Sequence, residues 1–283
     1  MRTETWLHQA TAKLNKAGIA TARLDCLVML EDALGQDRSY LLAHPETPCQ
    51  GRTLTRLNGW VGRRARHEPL AYIRGKTEFY GREFLVNPHT LEPRPETETM
   101  VELLKQLADS RQLTADSFHV VDVGTGSGAI AITIKLEMPD AKVIAIDISA
   151  ECLKIARKNA KKHSVDITFL KADLLRPIPS SIFHLPTSTF AILANLPYVP
   201  DSHTVNEAAM YEPKLAIFGG SDGLDLYRKL FLQIDSLVVK PRFILTESLP
   251  FQHESLAQIA QQHGYDLRKI NDFIQVYELF NIN

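Results

Sequence analysis

The chain has 283 residues, of which 45% are hydrophobic and 23% are charged, so it is long enough for one large or two modest globular domains. Its formal net charge of −1 argues against nucleic-acid binding through bulk positive charge. The three cysteines form no CxxC pair and the ten histidines show no ligand spacing, so we predict neither a disulfide framework nor a metal site. No apolar run reaches the ~20 residues that span a bilayer. The N-terminus has no apolar signal core, so we expect a cytoplasmic protein without membrane contact.

Residues 1–71 are predicted to form a small helical domain, because apolar residues recur at helical spacing and no strand pattern precedes residue 72. The first 75 residues contain 11 Lys and Arg against 7 Asp and Glu. That excess can bind an acidic partner or RNA, but an ordinary solvated helix face explains it as well. The basic side chains that we consider for partner binding are Arg56, Arg63, Arg64 and Arg66.

The segment 72–91 changes to a β pattern. Residues 79–86 have the pattern of two short strands around a glycine turn, which predicts a β-hairpin linker. Two prolines within residues 92–98 exclude the middle of a helix and predict an extended loop before a helix at 99–108. Residues 92–283 are therefore assigned to a second domain.

Beyond residue 115 strands and helices alternate, which predicts a doubly wound α/β domain with a mostly parallel sheet. The predicted strands are 118–123, 142–146, 167–170, 191–194, 242–246 and 275–280. The predicted helices are 129–138, 150–163, 224–238 and 253–263. Residues 176–189 are predicted to form an enlarged loop. Ligands of such folds bind at the carboxyl ends of the strands.

A glycine-rich turn after the strand at 118–123 predicts a site for a nucleoside cofactor. It consists of Gly124, Thr125, Gly126, Ser127 and Gly128, and glycine permits both a tight turn and the close approach of a ligand. Asp147 closes the next strand, where it can accept hydrogen bonds from both hydroxyls of a ribose. Enzymes that use NAD and enzymes that use S-adenosylmethionine share this arrangement, and a plain strand-to-helix turn is the alternative without a ligand.

A further acidic residue follows the strand at 167–170. Asp173 can accept the adenine amino group of a cofactor, and the backbone of Leu174 can bind the edge of the ring. A helix or turn cap explains an aspartate at this position equally well. We include both residues in the predicted cofactor site.

The tetrapeptide Asn195, Leu196, Pro197 and Tyr198 directly follows a buried strand. An asparagine oxygen, a nearby backbone carbonyl and an aromatic face can together hold one planar NH2 group. The segment fits the pattern Asn/Asp/Ser-x-Pro-Tyr/Phe of methyltransferases that modify planar nitrogens, which favours S-adenosylmethionine over NAD. We predict all four residues as substrate-binding, Asn195 and Tyr198 as catalytic, and Asn195 also as a cofactor contact.

Seven further stretches are spread along most of the chain, at residues 22–25, 66–75, 78–81, 93–98, 122–128, 211–213 and 219–224. With the tetrapeptide they resemble the HemK/PrmC family, the release factor glutamine methyltransferases. The stretch Pro-Arg-Pro-Glu-Thr-Glu at 93–98, combined with the others, is highly specific for that family. Its Arg94 and Glu96 are expected either to shape the entrance for a glutamine or to form an ion pair at the start of a helix.

The resemblance implies an α/β fold: a seven-stranded Rossmann-like S-adenosylmethionine-dependent methyltransferase domain (92–283) behind a small all-α substrate-recognition domain (1–71) and a β-hairpin linker (72–91). It also implies methylation of N5 of the glutamine in the Gly-Gly-Gln motif of peptide chain release factors, with S-adenosyl-L-homocysteine as the product. The expected partner is a release factor. We expect a monomer without stable nucleic-acid binding.

Two departures from the family pattern leave a second substrate open. The family usually has Asn-Pro-Pro-Tyr, whereas Leu196 is also what adenine dimethyltransferases acting on rRNA tend to have. Residues 269–276 lack the usual Gly and Arg after Asp272. Methylation of adenine N6 in RNA or DNA is therefore the alternative activity, and a fold retained only for binding is the alternative without activity.

Overall fold

The computed structural model describes residues 1–110, 118–176 and 189–280. The chain forms two structural units, one of Met1–Lys76 with Val205–Tyr211 and one of Thr77–Thr204 with Glu212–Asn283. Each unit has hydrophobic core clusters of its own. The enlarged loop predicted at 176–189 lies almost wholly outside the described residues.

The first unit contains the helices α1 (Thr3–Lys16), α2 (Ala22–Leu34), α3 (Arg38–Ala43), α4 (Gly51–Arg64) and α5 (Leu70–Arg74). Their apolar faces meet in a core that includes the buried side chains of Trp6, Leu14 and Met29. Helix α3 begins after Asp37, whose carboxylate accepts a hydrogen bond from the Tyr40 N–H at 2.7 Å and so caps the helix. The predicted all-α character of this part of the chain is confirmed.

Three of the four arginines considered for partner binding make contacts within the first unit. Arg64 donates to Asp25 at 2.7 Å, and its side chain is 14% exposed. Arg63 forms an ion pair with Glu68. Arg56 donates to a backbone carbonyl of α2 at 2.7 Å. A partner that bound these three side chains would first have to break those contacts.

The hairpin of β1 (Lys76–Phe79) and β2 (Arg82–Leu85) lies within the segment 72–91 for which a hairpin is predicted, but β1 begins three residues before the predicted strands at 79–86. Tyr80 and Gly81 form its two-residue turn with φ angles of 53° and 67°. Positive φ at both positions is what a tight hairpin turn needs to follow the twist of its strands. The Glu98 carboxylate accepts a hydrogen bond from the Tyr80 N–H at 2.7 Å, which ties the turn to the first residue of the helix Glu98–Ser110.

The second unit contains a seven-stranded sheet made of β3 (Phe118–Val123), β4 (Lys142–Asp147), β5 (Thr168–Lys171), β6 (Thr189–Ala194), β7 (Phe243–Glu247), β8 (Tyr265–Asn271) and β9 (Ile274–Leu279). Its order is β5-β4-β3-β6-β7-β9-β8, with β9 antiparallel to both of its neighbours and the other pairs parallel. The predicted seven-stranded α/β fold is confirmed. The residue pattern alone misses β8, because only Tyr265 of this edge strand is buried.

Helices cover both faces of this sheet; they are α6 (Glu98–Ser110), α7 (Ala129–Glu137), α8 (Ala150–Lys162), α9 (Asp225–Asp235) and α10 (His253–Gln262). Two hydrophobic clusters take alternate residues of the same strands: Leu193 packs in one, and Ile192 and Ala194 pack in the other. Residues 95–97 form a 3-10 turn before α6. Among the described helices, none has the length and apolarity needed to cross a bilayer.

The sheet register brings three strand ends to one level. Val123, the last residue of β3, pairs with Ala194, the last residue of β6. Ala194 pairs in turn with Thr246, the residue before Glu247. The strand order reverses between β3 and β6, and ligands of open α/β sheets bind at such switch points. The glycine turn, the tetrapeptide and Glu247 therefore leave the sheet side by side.

Candidate active site

A cavity of about 440 Å³ lies at the carboxyl ends of β3, β4 and β6, a volume typical of small-molecule sites. Most of the residues predicted for the site line it: Gly124, Thr125, Gly126, Ser127, Asp147, Asp173, Leu174, Asn195, Leu196 and Pro197. Gly128 and Tyr198 are outside the lining. The structure thus brings the glycine turn, both acidic positions and the tetrapeptide to one cavity.

The glycine turn is packed directly against the tetrapeptide. Gly124 has a φ of 78°, and a Cβ placed on it would lie 3.2 Å from Cδ2 of Leu196. A Cβ on Gly128 would lie 3.1 Å from the Cβ of Ala156 in α8, so this glycine permits helix packing and does not face the cavity. The two glycines are therefore needed for different reasons. Gly124 leaves room for Leu196 beside the cavity, and Gly128 leaves room for α8.

Asp147 is held by backbone donors at the end of β4. Its carboxylate accepts hydrogen bonds from the N–H of Gly126 at 2.9 Å and the N–H of Ser149 at 2.8 Å, one on each oxygen. Burial raises the pKa of Asp147 above its ordinary value, although these bonds oppose the shift. Each oxygen retains capacity to accept another hydrogen bond, as two ribose hydroxyls would require.

Asp173 and Leu174 also line the cavity. The Asp173 carboxylate forms an ion pair with Lys229 of α9 at 2.5 Å, and both side chains are 46% exposed, so this contact holds Asp173 only weakly. Leu174 has a φ of 57°, an uncommon angle for a residue with a side chain. The second carboxylate oxygen of Asp173 has no hydrogen-bond partner among the described residues.

The backbone of the tetrapeptide is held by a second glycine-rich loop, residues 219–223. A Cβ on Gly219 would lie 2.3 Å from the carbonyl oxygen of Pro197, and a Cβ on Gly223 would lie 2.0 Å from that of Tyr198. The Gln252 amide donates to the same Tyr198 oxygen at 2.7 Å. This loop belongs to the sequence stretches that resemble the family, and the structure gives a steric reason for its glycines.

The side chains of the tetrapeptide join a buried carboxylate that the sequence does not predict. Asn195 Nδ2 donates to Thr97 Oγ1 at 3.1 Å, and Thr97 Oγ1 donates to Glu247 Oε2 at 2.6 Å. The Tyr198 hydroxyl donates to Glu247 Oε1 at 2.9 Å. Glu247 is 1% exposed and forms no ion pair with a described residue. Thr97 also lines the cavity.

Burial dominates the ionisation of this group of residues. It raises the pKa of Glu247, while side-chain hydrogen bonds from Thr97, Tyr198 and Asn195 oppose the shift. Burial and the neighbouring carboxylate both raise the pKa of Tyr198, so its hydroxyl stays protonated and donates. Asn195 therefore faces the cavity with its amide nitrogen occupied, and among the described residues none donates to its Oδ1.

Arg94 lines the cavity and forms an ion pair, but with a residue distant in sequence. Its Nη2 lies 2.8 and 2.7 Å from the two oxygens of Glu212, whose side chain is 2% exposed. Burial raises the pKa of Glu212, and Arg94 opposes the shift. Arg94 also lies 3.8 Å from Glu92, and among the described residues none forms an ion pair with Glu96. Pro213 and Ala216, just after Glu212, also line the cavity.

Known proteins match both parts of the chain. Residues 5–75 match the family described as the PrmC N-terminal domain, and residues 115–212 match a methyltransferase domain family. A release factor glutamine methyltransferase of Coxiella burnetii is 36% identical over 89% of this chain and 87% of that protein. Its counterpart in Koribacter versatilis is 38% identical over 80% of this chain and 78% of that protein.

Two further matches are partial: one relative is much longer than this chain, and one solved structure is similar in fold but not in sequence. The bifunctional methyltransferase of Rickettsia conorii is 32% identical over 95% of this chain, but the chain spans only 55% of that protein's length. The hMettl16 catalytic domain, solved in complex with MAT2A 3′UTR hairpin 6, has a TM-score of 0.52 at 11% identity over 83% of this chain and 84% of that one. This likeness concerns the fold alone. The matches over most of both chains show that this chain belongs to the release factor glutamine methyltransferase family.

Proposed function

We propose that this chain transfers a methyl group from S-adenosyl-L-methionine to N5 of the glutamine in the Gly-Gly-Gln motif of peptide chain release factors. The observation that carries the proposal is that the neighbouring residues Asn195 and Leu196 both line the cavity, and each has an oxygen acceptor, Oδ1 and the backbone carbonyl oxygen. Among the described residues, none donates a hydrogen bond to either oxygen. Two adjacent acceptors suit the two N–H bonds of one primary amide. Relatives named for this reaction support the same substrate.

The volume of the cavity and the carboxylate acceptors that line it fit S-adenosylmethionine. The glycine turn lets the backbone approach a ligand closely, and Asp147 has an acceptor for each ribose hydroxyl. We assign the adenine to Asp173 and the backbone of Leu174, with Asn195 beside the reacting end. When bound, S-adenosylmethionine supplies an electrophilic methyl group on a positively charged sulfur. S-adenosyl-L-homocysteine is then the product.

The residues of the tetrapeptide orient a weak nucleophile. An amide nitrogen is weak because its lone pair is delocalised into the carbonyl group. Asn195 Oδ1 and the Leu196 carbonyl each accept one N–H of the glutamine, which fixes the nitrogen and favours its pyramidal form. Such positioning contributes roughly 7–11 kcal/mol in well-oriented reactions. No strong base is required, because the alkylated nitrogen is cationic and loses a proton to Asn195 or water.

Leu196 performs this role through its backbone. Its side chain is 3% exposed and packs beside Gly124, while its N–H donates to the Tyr227 hydroxyl at 3.3 Å. The packing of the side chain and the hydrogen bond of the N–H together hold the backbone of Leu196, and with it the carbonyl oxygen. Any residue at this position has the same carbonyl oxygen. The departure from the family's proline therefore leaves the proposed chemistry intact.

Tyr198 completes the proposed substrate site. It is half-buried and outside the cavity lining. We therefore assign its ring to contact with the protein substrate and not with the cofactor. Its hydroxyl is fixed on Glu247. We assign the ring to packing against the glutamine amide, where it limits rotation of the reacting group.

The helical part at residues 1–71 is our candidate for recognising the release factor, and residues 72–91 link it to the catalytic part. The expected partner acts in translation, so we propose that the enzyme works in the cytoplasm. We also propose that it acts as a monomer.

A methyl-transfer assay tests the proposed function. Tritiated S-adenosylmethionine is offered with a purified release factor, with the same factor carrying Ala for Gln in its Gly-Gly-Gln motif, and with RNA. The proposal predicts tritium label in the release factor that keeps its glutamine, and in neither the alanine variant nor the RNA. Label in RNA would favour adenine methylation and overturn the proposal. Absence of label in every substrate would favour a fold that only binds.

Asp147→Asn is expected to weaken S-adenosylmethionine binding by about 10- to 100-fold, the range for losing hydrogen bonds to a charged acceptor. The asparagine NH2 would face one of the two backbone donors that now hold the carboxylate, Gly126 N–H or Ser149 N–H. Isothermal titration calorimetry measures the change. Asp140→Asn, an exposed aspartate after α7, is the matched control and should bind normally. Affinity of Asp147→Asn within twofold of the unmodified enzyme would remove Asp147 from the cofactor site.

A further inference from the structure

An asparagine amide has two ends of similar size and opposite chemistry. Its oxygen accepts hydrogen bonds and its NH2 donates them, and half a turn of the terminal torsion exchanges the two. Only the oxygen can accept an N–H from a substrate amide. The proposed reaction therefore needs a device that holds Asn195 in one of its two orientations.

The contacts of Asn195 supply such a device. Each oxygen of Glu247 has a hydroxyl within hydrogen-bond distance, Thr97 Oγ1 at 2.6 Å and the Tyr198 hydroxyl at 2.9 Å. In its ionised form the carboxylate can only accept, so both hydroxyls donate to it. Thr97 has one hydroxyl proton, and at 2.6 Å it is directed to Glu247 Oε2. The Thr97 oxygen can then only accept from Asn195, at 3.1 Å, which selects the Nδ2 end of the amide. Asn195 Oδ1 is the end that remains for a substrate.

Glu247 is itself fixed in place. Its other oxygen accepts from the Tyr198 hydroxyl at 2.9 Å, so the carboxylate is held from both sides. It lies at the end of β7, beside the end of β6, where the sheet register aligns it with Asn195. A buried carboxylate without a cation is costly to a fold. Stability therefore does not explain its presence, whereas orientation of Asn195 does.

We propose that Glu247 and Thr97 are positioning residues that set the direction of the Asn195 amide and so present its oxygen to the substrate. This inference rests on the proposed function of Asn195 as the acceptor for a substrate N–H. Glu247 acts on the Asn195 NH2 end through Thr97 and through its own hydrogen bond with the Asn195 side chain, and it is outside the cavity lining. The same carboxylate also accepts from the Tyr198 hydroxyl, so it links the two residues predicted to be catalytic.

Thr97→Val removes the hydroxyl and keeps the shape of the side chain. We expect kcat to fall by about 100-fold, the cost of misplacing a reacting group, with S-adenosylmethionine affinity unchanged. Thr97→Ser restores the hydroxyl and is expected to recover most of the lost kcat, even though it removes a buried methyl group. Glu247→Leu removes the acceptor of the Thr97 and Tyr198 hydroxyls, which lowers stability because it leaves both groups unsatisfied, so urea unfolding is used to confirm that the variant is folded. It is expected to lower kcat as Thr97→Val does, and the double variant should be no worse than either.

The direction of the amide can be read without any substrate. In enzyme labelled with 15N-asparagine, the Asn195 NH2 resonance is identified by its absence from Asn195→Ala. We expect its protons to exchange slowly with water in the unmodified enzyme and in Thr97→Ser, and rapidly in Thr97→Val and Glu247→Leu. Unchanged exchange in folded Thr97→Val or Glu247→Leu would overturn the inference.

The two proposals fail differently. If the unmodified enzyme methylates a release factor and Thr97→Val or Glu247→Leu keeps its kcat, the positioning role is wrong and the function stands. If the unmodified enzyme transfers no methyl group to a release factor, the function is wrong. The exchange rates of the Asn195 amide still decide whether Thr97 and Glu247 fix its direction.

Discussion

Asn195→Ala is expected to lower kcat by about 10²- to 10³-fold, the effect of removing one oriented dipole from a catalytic site. The variant loses the only side-chain acceptor of the proposed pair and leaves the Leu196 carbonyl to hold the glutamine nitrogen alone. It also releases Thr97, whose hydroxyl now accepts from Asn195 Nδ2. The rest of the tetrapeptide is anchored through its backbone and should stay in place.

Three measurements separate a chemical defect from a structural one. The dissociation constant for S-adenosylmethionine is expected to change by less than about tenfold, since one contact of many is lost. The melting temperature should fall only slightly, because Asn195 is only partly buried. Asn15→Ala, an exposed asparagine in α1, is the matched control and should turn over normally. Turnover by Asn195→Ala within a few-fold of the unmodified enzyme would contradict the assigned role.

Gly223→Ala is expected to abolish turnover through the backbone of the tetrapeptide. The added Cβ would lie 2.0 Å from the Tyr198 carbonyl oxygen and 2.4 Å from Nε2 of Gln252, so one of them has to move. Overpacking of this kind typically costs about 1–3 kcal/mol of folding free energy. The φ of 81° at Gly223 adds a further cost of roughly 1–2 kcal/mol for any residue with a side chain.

Gly264→Ala isolates the steric part of that prediction. Gly264 has a φ of 86°, but a Cβ placed on it would meet no atom within 4 Å. Both variants therefore suffer the backbone strain, and only Gly223→Ala suffers the clash. Urea unfolding should give a larger loss for Gly223→Ala, and only this variant should lose turnover. Equal stability and equal activity of the two variants would show that the second glycine loop does not hold the tetrapeptide.

The fold follows from local patterns in the sequence. Strands β3, β4, β6 and β7 are short apolar runs between helical patterns, and such alternation determines a parallel sheet with helices on both faces. Edge strand β8 escapes this reasoning because it presents one buried residue and several charged ones. A run of apolar residues identifies a buried strand. Strand β8 lacks such a run because it lies at the edge of the sheet and pairs only with β9.

The candidate site is predictable only where its residues carry a local motif. The glycine turn and the tetrapeptide do so, and all of their residues except Gly128 and Tyr198 line the cavity. Glu247 does not, since a glutamate at the end of a strand is unremarkable until the sheet order places it beside Asn195. Thr97 lies within the recognised stretch 93–98, but its hydrogen bonds span 98 and 150 positions of sequence. Contacts of that range depend on the register of the sheet, which no local pattern contains.

Mass spectrometry of a release factor after incubation with this enzyme and S-adenosylmethionine tests the central claim most directly. The account predicts one added methyl group on the peptide that contains Gly-Gly-Gln, with fragment ions assigning it to the glutamine side chain. Incubation with Asn195→Ala should leave that peptide unmodified over the same time. A glutamine that stays unmethylated after incubation with the enzyme without substitutions, or a methyl group on any other residue, would contradict it.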